Sequence, residues 1–380
     1  MRRTLDDDGL RALRVRAQGL CGPGPVDVAS AVRAVGAVPA QDTRASRLAV
    51  RPRSSGLSAE DVRRACDTER SVVRTWAMRG TLHMLATEDL GWVLAALGPT
   101  FAAAGRPRRM ALGLDDETCE RGLRALREVL VGSEPLVRSE VVRRLAGFEV
   151  ALDPAGQAPA HLIALAALHG VLCRGPETER EEATYVLLDD WVGPIQAVDP
   201  DRALAELIRR YLASHGPATA HDLAAWSGIG MRRARAGLGL VAGELAEVET
   251  HGGRAWCLTA SAGTRRDATV EGSEVPEGPC VRLLGRFDPY LLGHRGRELV
   301  LEPAFAGRIQ AGGGIVQPAV LVDGRVMGTW RRERAGDRPA VTIDLFSQLP
   351  DDLRPGLEAE AADVGRFLGM PSAPPTNIRS

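Results

Sequence analysis

The chain has 380 residues, with 48 basic and 49 acidic side chains that give a formal charge of -1. Every basic residue is arginine, because the sequence contains no lysine. This absence excludes a Walker-A lysine, Schiff-base and pyridoxal chemistry, and lyase activity through a lysine amine. The apolar content of 44% and charged content of 26% are typical of a soluble globular protein, and the length indicates two or three domains.

The cysteines and histidines form no metal-binding or disulfide pattern. No C-x-x-C pair and no H-E-x-x-H sequence occurs, and no apolar run is long enough to span a membrane. The N-terminus also lacks the apolar region of a signal peptide. We therefore expect a cytoplasmic protein with no metal and no cofactor. Its cysteines are predicted to be buried free thiols: Cys21, Cys66, Cys119, Cys173, Cys257 and Cys280.

Residues 9–115 are predicted to form a first winged-helix unit. Helical periodicity covers two segments between residues 9 and 36, and Ser58 begins a third helix as its N-cap. Residues 72–85 have the pattern of two short strands, so the order is helix, helix, helix and hairpin. This order is the outline of a winged helix. The next helix is expected to stop at Gly98, because a proline follows it.

The same outline returns in residues 116–198 and 199–262. In the second unit, two strand-like runs flank the acidic loop 177–182. In the third unit, Thr219 begins the second helix, and a hairpin turns within residues 251–253. Because the copies share an outline rather than a sequence, the prediction is one of three tandem winged helices.

The last third of the chain is predicted to be rich in strands. Residues 278–350 contain several short alternating runs, including 298–303, and Asp323-Gly324 marks a hairpin. This spacing favours a small β-barrel or sandwich. The tail, residues 370–380, is predicted to be disordered. The expected fold class is therefore α+β, mainly α, with three tandem winged-helix units and a small C-terminal β-barrel.

The near-zero net charge conceals an uneven distribution of arginine. Several segments carry arginines with few or no acids, whereas acids concentrate in residues 177–182, 267–277 and 351–363. Arginine suits phosphate because its planar guanidinium stays charged and offers paired donors. If these segments share a face, they form a track for double-stranded DNA; the alternative is that each is a solvated loop. The arginines predicted to bind DNA are Arg44, Arg47, Arg51, Arg53, Arg106, Arg108, Arg109, Arg232, Arg233, Arg235, Arg331, Arg332 and Arg334.

Four sequence blocks resemble the AlkZ-type winged-helix DNA glycosylases. They cover residues 38–62, 74–97, 283–303 and 320–332, within a resemblance that runs from about residue 10 to residue 350. The R-G-T-L-H and F-D-P-Y-L-L-G sequences are the most specific parts. The resemblance implies a C-shaped arrangement of tandem winged helices that cradles DNA. It also implies excision of alkylated bases, including bulky adducts and crosslinks, and in some members self-resistance to a genotoxic natural product.

The resemblance also implies where catalysis occurs. The family's Gln-apolar-Gln or Gln-apolar-Asp motif aligns with a triplet that begins at Pro39 and ends at Gln41. The second glutamine is kept, but proline has no side-chain donor or acceptor. Gln41 is expected to position a water and Asp42 to supply negative charge, although capping of the next helix is the favoured role for Asp42. Arg79 is expected to contact DNA. His83 lies beside the lesion or, as the favoured alternative, is a hydrogen-bonded structural residue.

Three functions follow from these observations. The first is a monofunctional glycosylase for alkylated purines, with N7- or N3-linked adducts as substrates, water as the nucleophile and a monomer as the active form. The second is a catalytically silent DNA-binding protein, a lesion sensor or regulator, which Pro39 favours. The third is a protein-interaction scaffold, since winged helices also bind proteins.

Overall fold

The computed structural model describes residues 3–259, 278–335, 338–348, 350–370 and 374–379. Its helices are α1 (Asp7–Ala17), α2 (Val28–Ala34), α3 (Thr43–Val50), α4 (Ala59–Asp67), α5 (Leu90–Ala104), α6 (Arg106–Ala111), α7 (Asp116–Leu130), α8 (Arg138–Leu145), α9 (Ala158–Leu168), α10 (Leu188–Val192), α11 (Pro200–His215), α12 (Ala220–Ser227), α13 (Met231–Leu240), α14 (Pro289–Leu292), α15 (Ala306–Ile309) and α16 (Arg354–Phe367). Its strands are β1 (Arg3–Thr4), β2 (Val38–Pro39), β3 (Val72–Trp76), β4 (Leu82–Ala86), β5 (Leu136–Val137), β6 (Leu172–Arg174), β7 (Thr184–Leu187), β8 (Leu245–Thr250), β9 (Gly253–Leu258), β10 (Val281–Leu284), β11 (Ala319–Val322), β12 (Arg325–Ala335), β13 (Arg338–Leu345) and β14 (Thr376–Arg379). The chain is a mixture of helix and strand, as the sequence predicts.

Two compact units make up the chain. One, the split unit, comprises Met1–Arg63 and Ile208–Ser380, and the other, the inserted unit, comprises Arg64–Leu207. The inserted unit therefore joins part of the first predicted winged-helix segment to the second. The three-unit division stays a prediction.

A sheet with strand order β4-β3-β6-β7-β5 lies in the inserted unit. Its neighbouring strands are antiparallel, and Arg74 of β3 is paired with Arg174 of β6. The two hairpins predicted as separate wings are thus joined edge to edge. One face of this sheet contributes Leu172 and Leu187 to a core with buried residues of α7, α8 and α9. Burial of these apolar side chains is the main force that holds the unit together.

Helix α5 continues through Gly98-Pro99, so the predicted stop at this position is wrong. Proline removes one helical hydrogen bond, but Trp92, Val93 and Leu97 are buried along the same helix. The free energy gained by burying this face outweighs the local cost of the proline. Gly98 serves a close approach, since a Cβ there would lie 2.4 Å from the carbonyl oxygen of Leu168.

The split unit contains two sheets, one with strand order β1-β8-β9 and one with order β10-β11-β12-β13-β14. The predicted turn at Asp323-Gly324 is present, with positive φ angles of 46° and 78° that suit a tight hairpin. In the described chain the end strands β10 and β14 do not pair with each other, so the larger sheet is open and no closed barrel is found. Residues 298–303, predicted as a strand, instead form a turn at 298–300 and an irregular segment that leads into a short 3-10 helix at Pro303.

Residues 374–379 of the C-terminal tail are ordered, which contradicts the prediction of disorder for this part of residues 370–380; residues 371–373 and 380 lie outside the described residues. Strand β14 pairs in parallel with β13, and the amide of Val341 donates to the carbonyl of Pro375. Helix α16 precedes it and packs Leu357 and Val364 against the core that contains Leu283. Backbone pairing with a distant strand overrides the polar composition of the tail, a contact that local sequence does not encode.

Cys21 and Cys280 form a disulfide, which contradicts the prediction of six free thiols. Their Cα atoms are 6.0 Å apart although 259 positions separate them in sequence. Spacing along the chain carries no information on such proximity. The other four cysteines are buried thiols outside any disulfide, as predicted: Cys66, Cys119, Cys173 and Cys257. No helix in the described residues is long and apolar enough to cross a membrane.

Candidate active site

The candidate catalytic triplet lies between β2 and α3 in the split unit. Pro39 and Ala40 are buried, whereas Gln41 is exposed two residues before the first turn of α3. Pro39 therefore contributes packing, and the Gln41 amide is the group of the triplet that reaches solvent. A short extended segment that ends just before a helix fixes the direction in which this amide is presented.

Asp42 is the N-cap of α3, which confirms its favoured structural role. Its Oδ1 accepts a hydrogen bond of 3.0 Å from the amide of Ala45, one of the donors left unpaired at a helix start. Its Oδ2 lies 3.9 Å from Nη1 of Arg286. Arg286 thus partly offsets the negative charge beside Gln41.

The segment that carries Gln41 packs against the F-D-P-Y-L-L-G block. Gly285 lies so close to α3 that a Cβ there would be 3.2 Å from Cβ of Leu48. The Arg53 guanidinium donates to both carboxylate oxygens of Asp288, at 2.6 and 2.9 Å, and both side chains are fully buried. Gln18 accepts a third bond from Arg53. Two of the family-like blocks are therefore held together by a buried bidentate ion pair.

Arg51 forms a second buried ion pair at the end of α3. It donates to Glu360 and Asp363 of α16, each at 2.7 Å, and to the carbonyl of Leu283. Burial alone would lower the pKa of the Arg51 guanidinium, but the two carboxylates outweigh it and the pKa is raised. The side chain stays charged and anchors α3 to the C-terminal helix.

Arg51, Arg53 and Arg109 do not reach the surface, which corrects their prediction as DNA contacts. Each is more than nine-tenths buried, and Arg109 donates to the carbonyl of Ala102. A guanidinium enclosed in this way cannot contact a phosphate of DNA without unfolding its surroundings. The acids that neutralise Arg51 and Arg53 come from 235 to 312 positions away, so the local absence of acid was misleading.

The remaining predicted arginines are placed differently in each unit. In the inserted unit, Arg106 is exposed and paired with Asp116, and Arg108, also exposed, donates to Gln157. In the split unit the exposed members are Arg44, Arg232, Arg235, Arg331 and Arg332, and the half-buried members are Arg47 and Arg233. Arg331 is bound to Glu333 and Asp344. The side chain of Arg334 lies outside the described residues.

His83 is a buried neutral histidine in β4 of the inserted unit. Its Nδ1 donates to the carbonyl of Thr81 at 2.9 Å. Burial, followed by the nearby charge of Arg79, lowers the pKa of His83 to about 3. The imidazole is therefore uncharged at neutral pH and cannot act there as a cationic acid. Arg79, half-buried in the turn between β3 and β4, has a positive φ of 56°.

Sequence reasoning missed three residues that shape the site. Arg286 faces the capping carboxylate, and Asp288 and Gln18 hold Arg53. The one available signal was the position of the first two inside or next to the specific F-D-P-Y-L-L-G block. Among the described residues no group of three or more His, Cys, Asp or Glu side chains is arranged to hold a metal ion.

Three comparisons with known proteins agree with this architecture. Residues 32–367 match the family described as DNA glycosylase AlkZ-like. A relative from Streptomyces sahachiroi, named interstrand DNA cross-link repair glycosylase, is 30% identical over 351 residues, which are 89% of this chain and 90% of the relative. The structure of the Streptomyces sahachiroi DNA glycosylase AlkZ is similar with a TM-score of 0.83 and 27% identity, and the similarity covers 99% of this chain and 100% of that one.

These matches define the class of protein as a DNA glycosylase, an enzyme that hydrolyses the bond between a base and its sugar. The chain belongs to the AlkZ-like DNA glycosylase family. Its substrate is therefore DNA.

Proposed function

We propose that this glycosylase hydrolyses the N-glycosidic bond of purines alkylated at N7 or N3, with bulky adducts and interstrand crosslinks as its main substrates. The observation that carries the proposal is family membership over residues 32–367. Gln41, which we assign to the family motif, is exposed within this range. The lesion class is extended from the printed name of the relative. The role is DNA repair or self-resistance to an alkylating natural product.

The chemistry asks little of the protein. A guanine alkylated at N7 is a cation, so when the bond from C1′ to N9 breaks, its electron pair neutralises the departing base. Water then adds to the oxocarbenium-like carbon, and its proton passes to solvent. Gln41 orients this water through its amide oxygen. Asp42 adds little to this chemistry, because one of its oxygens caps α3 and the other lies near Arg286.

Pro39 supports a second function, a DNA-binding protein that has lost catalysis. Its side chain is buried and cannot replace the first glutamine of the family motif. The two functions share a DNA partner and differ in whether base is released. We favour the enzyme because N7 alkylation itself weakens the bond, so one oriented water suffices.

DNA binding is proposed to use those arginines of the predicted set that are exposed or half-buried in either unit. Three winged-helix segments within residues 9–262 present most of them, and Arg331 and Arg332 lie on β12 of the open C-terminal sheet. In the split unit α13 carries Arg232 in its first turn and Arg235 one turn further on, both exposed. We further propose that the protein acts as a monomer in the cytoplasm, on nucleoid DNA.

A substrate panel tests the proposal. Purified protein is incubated with duplex DNA that carries N7-methylguanine, and separately with a duplex crosslinked by a bifunctional alkylator. We expect free modified base from the first and separated strands on a denaturing gel from the second. Tight binding with no release from either would favour the silent DNA-binding protein. Release from the monoadduct alone would remove crosslinks from the substrate range.

A further inference from the structure

Arg174, at the end of β6 in the inserted unit, carries a positive charge that no described acid neutralises. It is paired across the sheet with Arg74 on one side and with Tyr185 on the other. Two arginines facing each other in neighbouring strands repel, so each needs a negative partner. The surroundings of the two differ in this respect.

The acidic side chains near this pair of arginines lie beside Arg74. It donates to Asp67 at 3.2 Å and to the carbonyl of Gly175 at 2.7 Å, and Glu177 lies 3.7 Å away. In the part of the chain that the structure describes, no carboxylate lies within ion-pair distance of Arg174. The Nε and Nη1 atoms of Arg174 are buried without a hydrogen-bond partner, and no other described residue has two such atoms.

Two aromatic rings hold the Arg174 guanidinium in place. Its central carbon lies 5.6 Å from the ring centre of Trp76 and 4.8 Å from that of Tyr185. This cation–π attraction orients the side chain but leaves its N–H groups without acceptors. The third nitrogen, Nη2, is absent from these buried atoms, and the residue as a whole is only partly buried, so the guanidinium is open to solvent at Nη2. A fixed, partly desolvated cation with vacant donors is suited to bind an oxyanion.

We propose that Arg174 binds a backbone phosphate of the DNA substrate. The inference rests on the proposed function, which brings a phosphodiester to this protein. A phosphate oxygen accepts a charge-assisted hydrogen bond from the open Nη2, and the phosphate supplies the negative charge that β6 lacks. Arg174 was outside the predicted set of DNA contacts, because its segment carries a single arginine beside the acidic loop 177–182.

Titration of duplex DNA against neutral variants tests the site. Arg174→Met and Arg174→Gln remove the charge, Arg174→Lys keeps it, and Arg143→Met removes an exposed arginine that is already paired with Glu140. With unmodified duplex DNA, we expect Kd to rise about tenfold in both neutral Arg174 variants. The slope of log affinity against log salt should fall by about 0.9, the value for one lost phosphate contact. Arg174→Lys should keep the slope, and Arg143→Met should match wild type.

Equal Kd and slope in wild type and in both neutral Arg174 variants would overturn the proposal. A second result would also overturn it: inorganic phosphate raises the thermal unfolding midpoint of wild type but not of the Arg174 variants, while all of them bind DNA equally well. The anion bound by Arg174 would then be a free phosphate. Thermal unfolding midpoints verify that the variants are folded. A smaller salt-dependence slope in the neutral Arg174 variants supports the phosphate site even if wild type releases no base. Absence of base release would contradict only the proposed function.

Discussion

Asp42, next to Gln41 in sequence, shows how a side chain in a motif can serve the backbone. Its Oδ1 caps α3 and its Oδ2 faces Arg286, so the carboxylate has two structural partners. We expect Asp42→Ala to lower the free energy of unfolding by about 1 kcal/mol, because a helix donor loses its acceptor. Asp42→Asn keeps a capping oxygen and should preserve stability in a denaturant titration.

The same pair of variants separates capping from catalysis. We expect base release by Asp42→Asn to stay within about threefold of wild type, well short of the 10²-fold or more that loss of a catalytic base costs. A larger loss in Asp42→Asn, with stability retained, would assign the charge of Asp42 to the chemistry instead.

The free energy of unfolding is expected to depend on pH through His83. Its pKa is about 3 in the folded protein, because of burial first and the charge of Arg79 second, against about 6.5 when unfolded. The contribution of the neutral His83 to the free energy of unfolding is complete above pH 6.5. It is lost as pH falls toward 3, because the unfolded chain then binds a proton that the folded chain excludes. We expect His83→Gln to flatten the stability–pH curve by up to about 1.4 kcal/mol per pH unit between pH 4 and 6. Urea titrations at several pH values measure this slope.

The exposed His251 provides the matched control for this experiment. His251→Gln should leave the curve as in wild type. An unchanged slope in His83→Gln would show that the imidazole titrates alike in the folded and unfolded chain, contrary to its buried position.

At the scale of elements, the ion pair between Arg53 and Asp288 joins the segment that follows α3 to the start of α14. Both side chains are at most 1% exposed. We expect Arg53→Met to lower the free energy of unfolding by about 3–5 kcal/mol, because it leaves a buried carboxylate without its partner. Arg63→Met, which breaks an exposed pair with Glu60, should cost less than about 1 kcal/mol in the same titration.

A double variant identifies the origin of that cost. Arg53→Met with Asp288→Leu removes both charges and should recover part of the lost stability. Stability lower than in Arg53→Met alone would mean that packing, not the unpaired carboxylate, dominates.

Substitution of alanine for two helical glycines should change the stability of the protein in opposite directions. At Gly98 in α5 a Cβ would lie 2.4 Å from the carbonyl oxygen of Leu168, whereas at Gly239 in α13 nothing lies within 4 Å. We expect Gly98→Ala to destabilise the protein through this clash. Gly239→Ala should raise its stability by up to about 1 kcal/mol, because alanine favours helix. Thermal unfolding of both variants measures the two signs, and a shared sign would contradict the placement of one glycine.

The sequence predicts these elements well where the signal is local. The helix start at Thr219 and the Asp323-Gly324 turn depend on interactions within a few residues, and both are present. Pairing of β3 with β6 and the strand at Thr376–Arg379 depend on partners far along the chain. Hydrophobic periodicity carries no information on such partners. It therefore did not predict that the two hairpins join in one sheet, or that Thr376–Arg379 forms a strand.

Across the whole molecule the same limit applies to charge. Glu360 and Asp363, in an acidic segment that the sequence suggested was remote from the basic ones, neutralise Arg51. The local arginine count therefore included the buried Arg51 and Arg53 in the DNA-binding set of residues 43–59, and it left out Arg174, the proposed phosphate contact. Family-like blocks were a better guide, because two of them meet through Arg53 and Asp288 and support the segment that carries Gln41.

The most direct test of the account is release of free N7-methylguanine from duplex DNA, followed by mass spectrometry with enzyme in excess. Wild type should release the base, and Gln41→Ala should do so at least about 100-fold more slowly while binding the duplex equally well. Because the chain has no lysine, borohydride should trap no lysine-linked adduct. Equal rates for wild type and Gln41→Ala, or no release by either, would contradict the assignment of water activation to Gln41.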